Sequence, residues 1–266
     1  MRVHTVLVGV SVGVLSVNAL SAGCEAQVGL LAIGSVGSCL ALTSLLPVLS
    51  TNGSIIDPLN AYLSTLCASS TPTCDNSTLS SAQSSVSSAC SSDISAGGTG
   101  ATEIDGLLTI LKSYPQIYGA GCSKNSTTSG YCVTETLTTI QNDTNSQITT
   151  SFLTSLLSGD STALSTVSSA LGSGNLCTGC VEQIYLEALS ANATISSSPV
   201  GSALTSQCGS SFGQTTPSGV STTSVPASTS SAAASSGSGA ERGSVMMPFA
   251  VVGTLFLGVI GGALLV

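Results

Sequence analysis

The chain has 266 residues, 42% of them hydrophobic and only 6% charged, with ten cysteines, one histidine, no tryptophan and a net charge of −8. Four Lys and Arg against twelve Asp and Glu cannot form the cationic surface that phosphate backbones require, so nucleic acid is not an expected partner. Ten cysteines with so few charges point to an oxidising, secreted setting rather than the cytosol.

In chain order, residues 1–21 read as a secretory signal peptide. Arg2 and His4 give a short basic start, 6–17 is an almost unbroken apolar run, and Ala19, Leu20 and Ser21 bring small residues to the cleavage region. Maturation is expected near Ser21 or Ala22. The only histidine leaves with this segment.

The expected folded body is 22–212, because it holds every cysteine. Asp57 and Pro58 read as a helix cap and first position, followed by a stripe of Leu59, Tyr62, Leu63 and Leu66. Thr102 with Asp105 resembles a capping box before Ile104, Leu107, Leu108 and Leu111, with Pro115 closing that segment. Ile148, Phe152, Leu156 and Leu157 form a stripe that ends at Gly159. Val181, Ile184, Tyr185, Ala188 and Leu189 form another, and Pro199 opens a short helix toward Cys208. Weaker stripes cover 40–46, 79–89, 133–140 and 164–171. No segment sustains two-residue alternation, so the expected class is all-α: a disulfide-stapled helical ectodomain.

The cysteines fall into two sets of five. The first holds Cys24, Cys39, Cys67, Cys74 and Cys90; the second holds Cys122, Cys132, Cys177, Cys180 and Cys208. Their spacing suggests two pseudo-repeated halves, 24–95 and 122–212, packed as one body, although coincidental spacing fits as well. Five per half is odd, so complete pairing requires at least one bridge between halves. Connectivity stays open, since ten cysteines allow about 945 pairings. Five sequons, at Asn52, Asn76, Asn125, Asn142 and Asn192, fall at expected turns or helix ends and are candidate N-glycosylation sites.

From 213 to 236 the chain turns to Ser, Thr and Pro and reads as an O-glycosylated stalk. Residues 237–266 carry a polar spacer and then an apolar run with no basic residue after it. This reads as a removed GPI-attachment signal rather than a retained span, with Ser235 as the expected attachment residue. Processing at both ends leaves eleven acids against Lys112 and Lys124, and no His or Arg.

That composition rules out a Ser-His-Asp triad, a Cys-His nucleophile, a His-ligated zinc and an arginine clamp. The Cys177–Cys180 spacing suits a redox pair only on a thioredoxin-like sheet, so structural bridging to other cysteines is expected. Gly97, Gly98 and Gly100 form a glycine-rich stretch without a preceding strand or a lysine, and carry no phosphate expectation. Among carboxylates, Glu103 with Asp105 and Glu182 with Glu187 are poorly placed for shared chemistry, while Asp57 with Asp160 would have to meet in space. Tyr114, Tyr118 and Tyr131 read either as a groove border or as packing at helix rims. No catalytic, cofactor-binding or metal residue is assigned, and no cofactor is expected.

The segments 131–141 (YCVTETLTTIQ) and 176–185 (LCTGCVEQIY), with the signal, stalk and lipid tail, resemble fungal, basidiomycete-type secreted surface proteins. These are cysteine-rich, GPI-anchored and carry a domain of unknown function. The resemblance spans roughly 24–212 and implies location and architecture, with no catalytic residues to transfer. Hydrophobins differ because they need adjacent cysteine doublets, and the likeness to elicitins is only compositional. The leading expectation is a non-enzymatic cell-surface or cell-wall glycoprotein, extracellular on the outer leaflet or in the wall. Its expected partners are the membrane, through the GPI lipid, and cell-wall glycans or apolar lipid. The alternatives are a lipid- or sterol-binding module with an apolar cavity, and a carboxylate-dependent glycan-modifying enzyme with two acids about 5–10 Å apart.

Overall fold

Short helices with side-chain caps and leucine stripes dominate the computed structural model, which describes residues 20–157 and 160–225. The expected signal segment up to 19, Gly159, the expected stalk beyond 225, Ser235 and the 237–266 tail lie outside the described residues.

Helix α1 (Ala22–Ile33) is capped by Ser21, whose Oγ accepts the Cys24 N–H at 3.4 Å. Helices α2 (Ser35–Cys39) and α3 (Leu42–Ser50) follow. Helix α4 (Ile56–Leu66) buries Leu59, Tyr62, Leu63 and Leu66, the stripe read from the sequence. Its start differs from the expected Asp57 cap. Ile55 sits at the cap position, fully buried, and its N–H donates to Ile148 O at 2.9 Å. A tertiary anchor therefore fixes this end, with the cap two residues before the polar signal. Helix α5 (Asn76–Ala89) is capped by Asp75, whose Oδ1 accepts the Thr78 N–H at 2.7 Å.

After α6 (Ser91–Ala96), helix α7 (Gly98–Lys112) starts inside the glycine-rich stretch. The Thr102–Asp105 box is therefore not a cap: Thr102 is interior, and its Oγ1 donates back to Gly98 O at 3.1 Å. Pro115 does not close that helix either. It lies at the start of α8 (Tyr114–Cys122), where a missing N–H costs nothing.

The second half holds α9 (Cys132–Thr144), α10 (Thr150–Leu157) and α11 (Ser161–Gly172), the last capped by Asp160. Ile148 precedes α10 instead of joining its stripe, yet is fully buried. Helix α12 (Gly179–Ala191), the 3-10 turn Ala193–Ser197 and α13 (Pro199–Cys208) complete the body. Among the described residues the fold is all-α apart from one small ribbon, in which β1 (Lys124–Asn125) pairs antiparallel with β2 (Val220–Ser221). Among the described residues, no helix is long and apolar enough to cross a membrane.

Five disulfides staple these short elements: Cys24–Cys90, Cys39–Cys74, Cys67–Cys122, Cys132–Cys180 and Cys177–Cys208. Cys67–Cys122 joins the two cysteine sets. The second cysteine pairs with the fourth in both sets. The first pairs with the fifth only in the first set, so the halves share one bridge pattern, not two. One apolar cluster runs from Cys24 to Phe212 without interruption. Within it α4 packs on α9, while α8 packs on α12.

Candidate functional site

Most of the polar residues singled out in the sequence have a structural neighbour that accounts for them. Cys177 and Cys180 do not pair with each other; they bridge to Cys208 and Cys132. Gly97 and Gly98, at φ +72° and +80°, turn the chain from α6 into α7. The tyrosines belong to the apolar cluster. Tyr114, Tyr118 and Tyr131 are all buried, with the Tyr114 and Tyr118 ring centres 5.7 Å apart. The Tyr114 hydroxyl accepts the Cys74 N–H at 3.3 Å, and burial pushes its pKa up to about 12. Lys124 Nζ lies 4.5 Å from the Tyr131 ring centre, a cation–π contact.

The carboxylates are distributed among separate ties. Asp75 and Asp160 cap helices. Asp143 accepts from Ser173 Oγ at 2.7 Å and Asn175 Nδ2 at 2.9 Å. Glu182 Oε1 accepts the Gly213 N–H at 3.0 Å. Glu187 lies against Gly119 on the neighbouring helix, where an added Cβ would meet its carboxylate at 2.8 Å. Partial burial raises the Glu187 pKa, opposed by the bond it accepts from Gln183 Nε2 at 3.0 Å. Gln183 Oε1 beside it is buried and has no hydrogen-bond partner. Glu103, Asp105 and Asp57 are exposed.

A polar recess of about 250 Å³ lies between α9, the start of α12 and the segment around β2. Glu135, Thr136, Thr139, Thr178 and Val220 line it. Glu135 Oε2 accepts from Asn125 Nδ2 at 2.8 Å, and its Oε1 accepts from Thr128 Oγ1. An added Cβ on Gly130 would meet that carboxylate at 2.5 Å, so the Glu135 side chain would have to shift to make room for one. Glu135 thus ties the loop after β1 to α9. Sequence reading missed this residue because its partners come from a loop that carries no periodic signal. The available clue is an acid in the first turn of a helix that follows a Ser/Thr-rich turn. A second, shallower groove of about 420 Å³ runs between α1 and α5, beside Leu30 and lined by Ser77, Ser81 and Ser85.

A family profile described as "Domain of unknown function (DUF7729)" matches residues 15–217. The chain belongs to this DUF7729 family. The match covers all five disulfides and ends just before β2. No curated protein and no solved structure matches the chain. The DUF7729 region therefore coincides with a helical body whose described acids serve largely as caps and ties.

Three of the five sequons stand in solvent. Asn52 is exposed in the turn after α3, Asn76 at the first residue of α5, and Asn142 near the end of α9. The other two are half-buried. Asn125 donates to Glu135, and Asn192 caps the 3-10 turn by accepting the Thr194 N–H at 3.1 Å.

Residues 213–225, read as the start of the stalk, lie on the body. Phe212 stacks at 6.0 Å on Tyr185, Val220 and Val225 pack against the apolar cluster, and Ser126 N–H donates to Gly219 O at 2.9 Å. Gly213 enters this stretch at φ +80°, where an added Cβ would meet the Tyr185 ring at 2.5 Å.

Proposed function

We propose that the chain is a non-enzymatic cell-surface or cell-wall glycoprotein, exported by its signal peptide and held by a GPI lipid attached at Ser235. The observation that carries this reading is the staple set. All ten cysteines are paired in five bridges, a state that persists in oxidising compartments and not in the cytosol. A chain without arginine or histidine after processing lacks the side chains that clamp phosphate or form a histidine-based triad. Its acids, used as caps and loop ties, further support a display role. Asn52, Asn76 and Asn142 carry the glycans on this reading, and the Ser/Thr-rich chain beyond 225 holds the body away from the lipid.

The test expresses the full chain in a eukaryotic host that makes GPI anchors and treats intact cells with a phosphatidylinositol-specific phospholipase. Release of the disulfide-bonded body into the medium is expected. Retention at the surface with 237–266 still attached overturns the anchor. A lipid- or sterol-binding module is the second reading, favoured by the groove between α1 and α5 with exposed Leu30. Saturable uptake of a fluorescent sterol by the purified body would move the assignment there.

A further inference from the structure

The first described residues are held too firmly to belong to a discarded leader. Ser21 N–H donates to Asp93 Oδ1 at 2.7 Å, and Ser21 Oγ donates to Asp93 Oδ2 at 2.7 Å. Both oxygens of a carboxylate that is only 9% exposed are thus occupied by one residue. Ser21 also caps α1, and Leu20 packs against the apolar cluster. A disulfide cysteine lies three residues from each partner of this contact: Cys24 follows Ser21 and Cys90 precedes Asp93, and Cys24–Cys90 is a bridge. The clasp and the disulfide therefore fasten the same two segments.

We infer that the leader is cut at the Ala19–Leu20 bond, so that the mature chain begins at Leu20 and keeps Ser21 as the residue read by Asp93. This rests on the export reading above and narrows it. Cleavage after Ser21, expected from the small-residue pattern, would remove the α1 cap and both short bonds that Ser21 donates to Asp93, leaving the longer one from Ser92 Oγ at 3.4 Å. It would also place a new ammonium at the positive end of the helix dipole. Cleavage before Ser21 leaves Leu20 as the last leader residue, a position that requires a small side chain. Cleavage after Ala19 satisfies the processing enzyme with Ala at the last leader position and Val17 two before it, and preserves every contact. In the step, a signal-peptidase-class enzyme adds water across the amide. Ala19 leaves with the new carboxylate, and Leu20 keeps the amine.

The experiment secretes the full chain from a eukaryotic host, labels α-amines and identifies the first residue by mass spectrometry. Leu20 is expected. A first residue of Ala22 or Gly23 overturns the inference and leaves export intact; a chain retained in the cell with residues 1–19 attached overturns export and the inference together. As a second readout, Ser21→Ala and Asp93→Asn each lower the melting temperature of the secreted protein, and the double variant falls no further than the worse single one. A Ser21→Ala protein with unchanged melting temperature overturns the clasp.

Discussion

The two halves of the cysteine framework use the same order of residues to different ends. In the first, Cys24–Cys90 encloses Cys39–Cys74, so the inner bridge nests inside the outer one. In the second, Cys132–Cys180 and Cys177–Cys208 interlock, and Cys122 is given to Cys67 of the first half. Their polar ties differ as well. The first half is fastened at its start by the Ser21–Asp93 clasp, the second at its start by Glu135 and at its end by Glu182 and the β1–β2 ribbon. A shared spacing therefore does not imply a shared internal symmetry. The cysteine left over within each set, Cys67 and Cys122, supplies the covalent bridge between the two halves.

The largest expected effect comes from cutting that link. Replacing Cys67 and Cys122 together by Ala opens a loop of 55 residues and should cost about 4 kcal/mol in stability. Chemical denaturation should still show one transition, because the apolar cluster is continuous; two transitions would separate the halves into domains. Next is Ile148→Ala, at the contact where the 145–149 segment meets the start of α4. A fully buried side chain there should cost about 3 kcal/mol. The same change at Ile33, which is 82% exposed, should stay within about 0.5 kcal/mol.

A smaller loss is expected for Tyr62→Phe, whose hydroxyl donates to Leu40 O at 2.9 Å inside the first half. Leaving that carbonyl unpaired should cost about 1–2 kcal/mol. The smallest effect belongs to Glu187 in the second half, and its sign depends on pH. Burial raises its folded pKa above the unfolded value, so the folded state binds the proton more tightly. Its contribution is fully present below the unfolded pKa, near ~4.3, and is lost as pH rises through the folded pKa. Glu187→Gln should therefore stabilise the protein at pH 7, by about 0.5–1 kcal/mol if its amide also reaches Gln183 Oε1, with a smaller gain at pH 4. Melting curves at the two pH values check this. Asp93 acts in the opposite direction, because the Ser21 hydroxyl and N–H hold its pKa below the usual carboxylate range. The stability it supplies is present above the unfolded value near ~3.9 and is lost as pH falls through its folded pKa.

The helices were legible where apolar stripes coincide with burial, as in α4 and α12. Their boundaries were not, wherever tertiary contacts outrank local signals. Ile55 begins α4 because a backbone bond to Ile148 anchors it, and Pro115 starts a helix because α7 has already ended at Lys112. The glycines before α7 read as loop on propensity, but packing against α5 and α6 carries the helix into them. Of the polar ties, helix caps such as Asp160 lie close to their partners in sequence, while Glu182–Gly213 and Ser21–Asp93 join distant segments. Pairwise contacts of that kind leave no periodic trace. The Ser/Thr composition of 213–225 hid Val220 and Val225, two apolar residues sufficient to dock the segment.

The most direct test of the two-into-one framework is a peptide map of the secreted protein, digested without reduction. The account predicts a linked peptide pair containing Cys67 and Cys122, together with Cys24–Cys90, Cys39–Cys74, Cys132–Cys180 and Cys177–Cys208, and no thiol open to alkylation. A map in which Cys67 bridges only within the first half, or Cys122 only within the second, would contradict it.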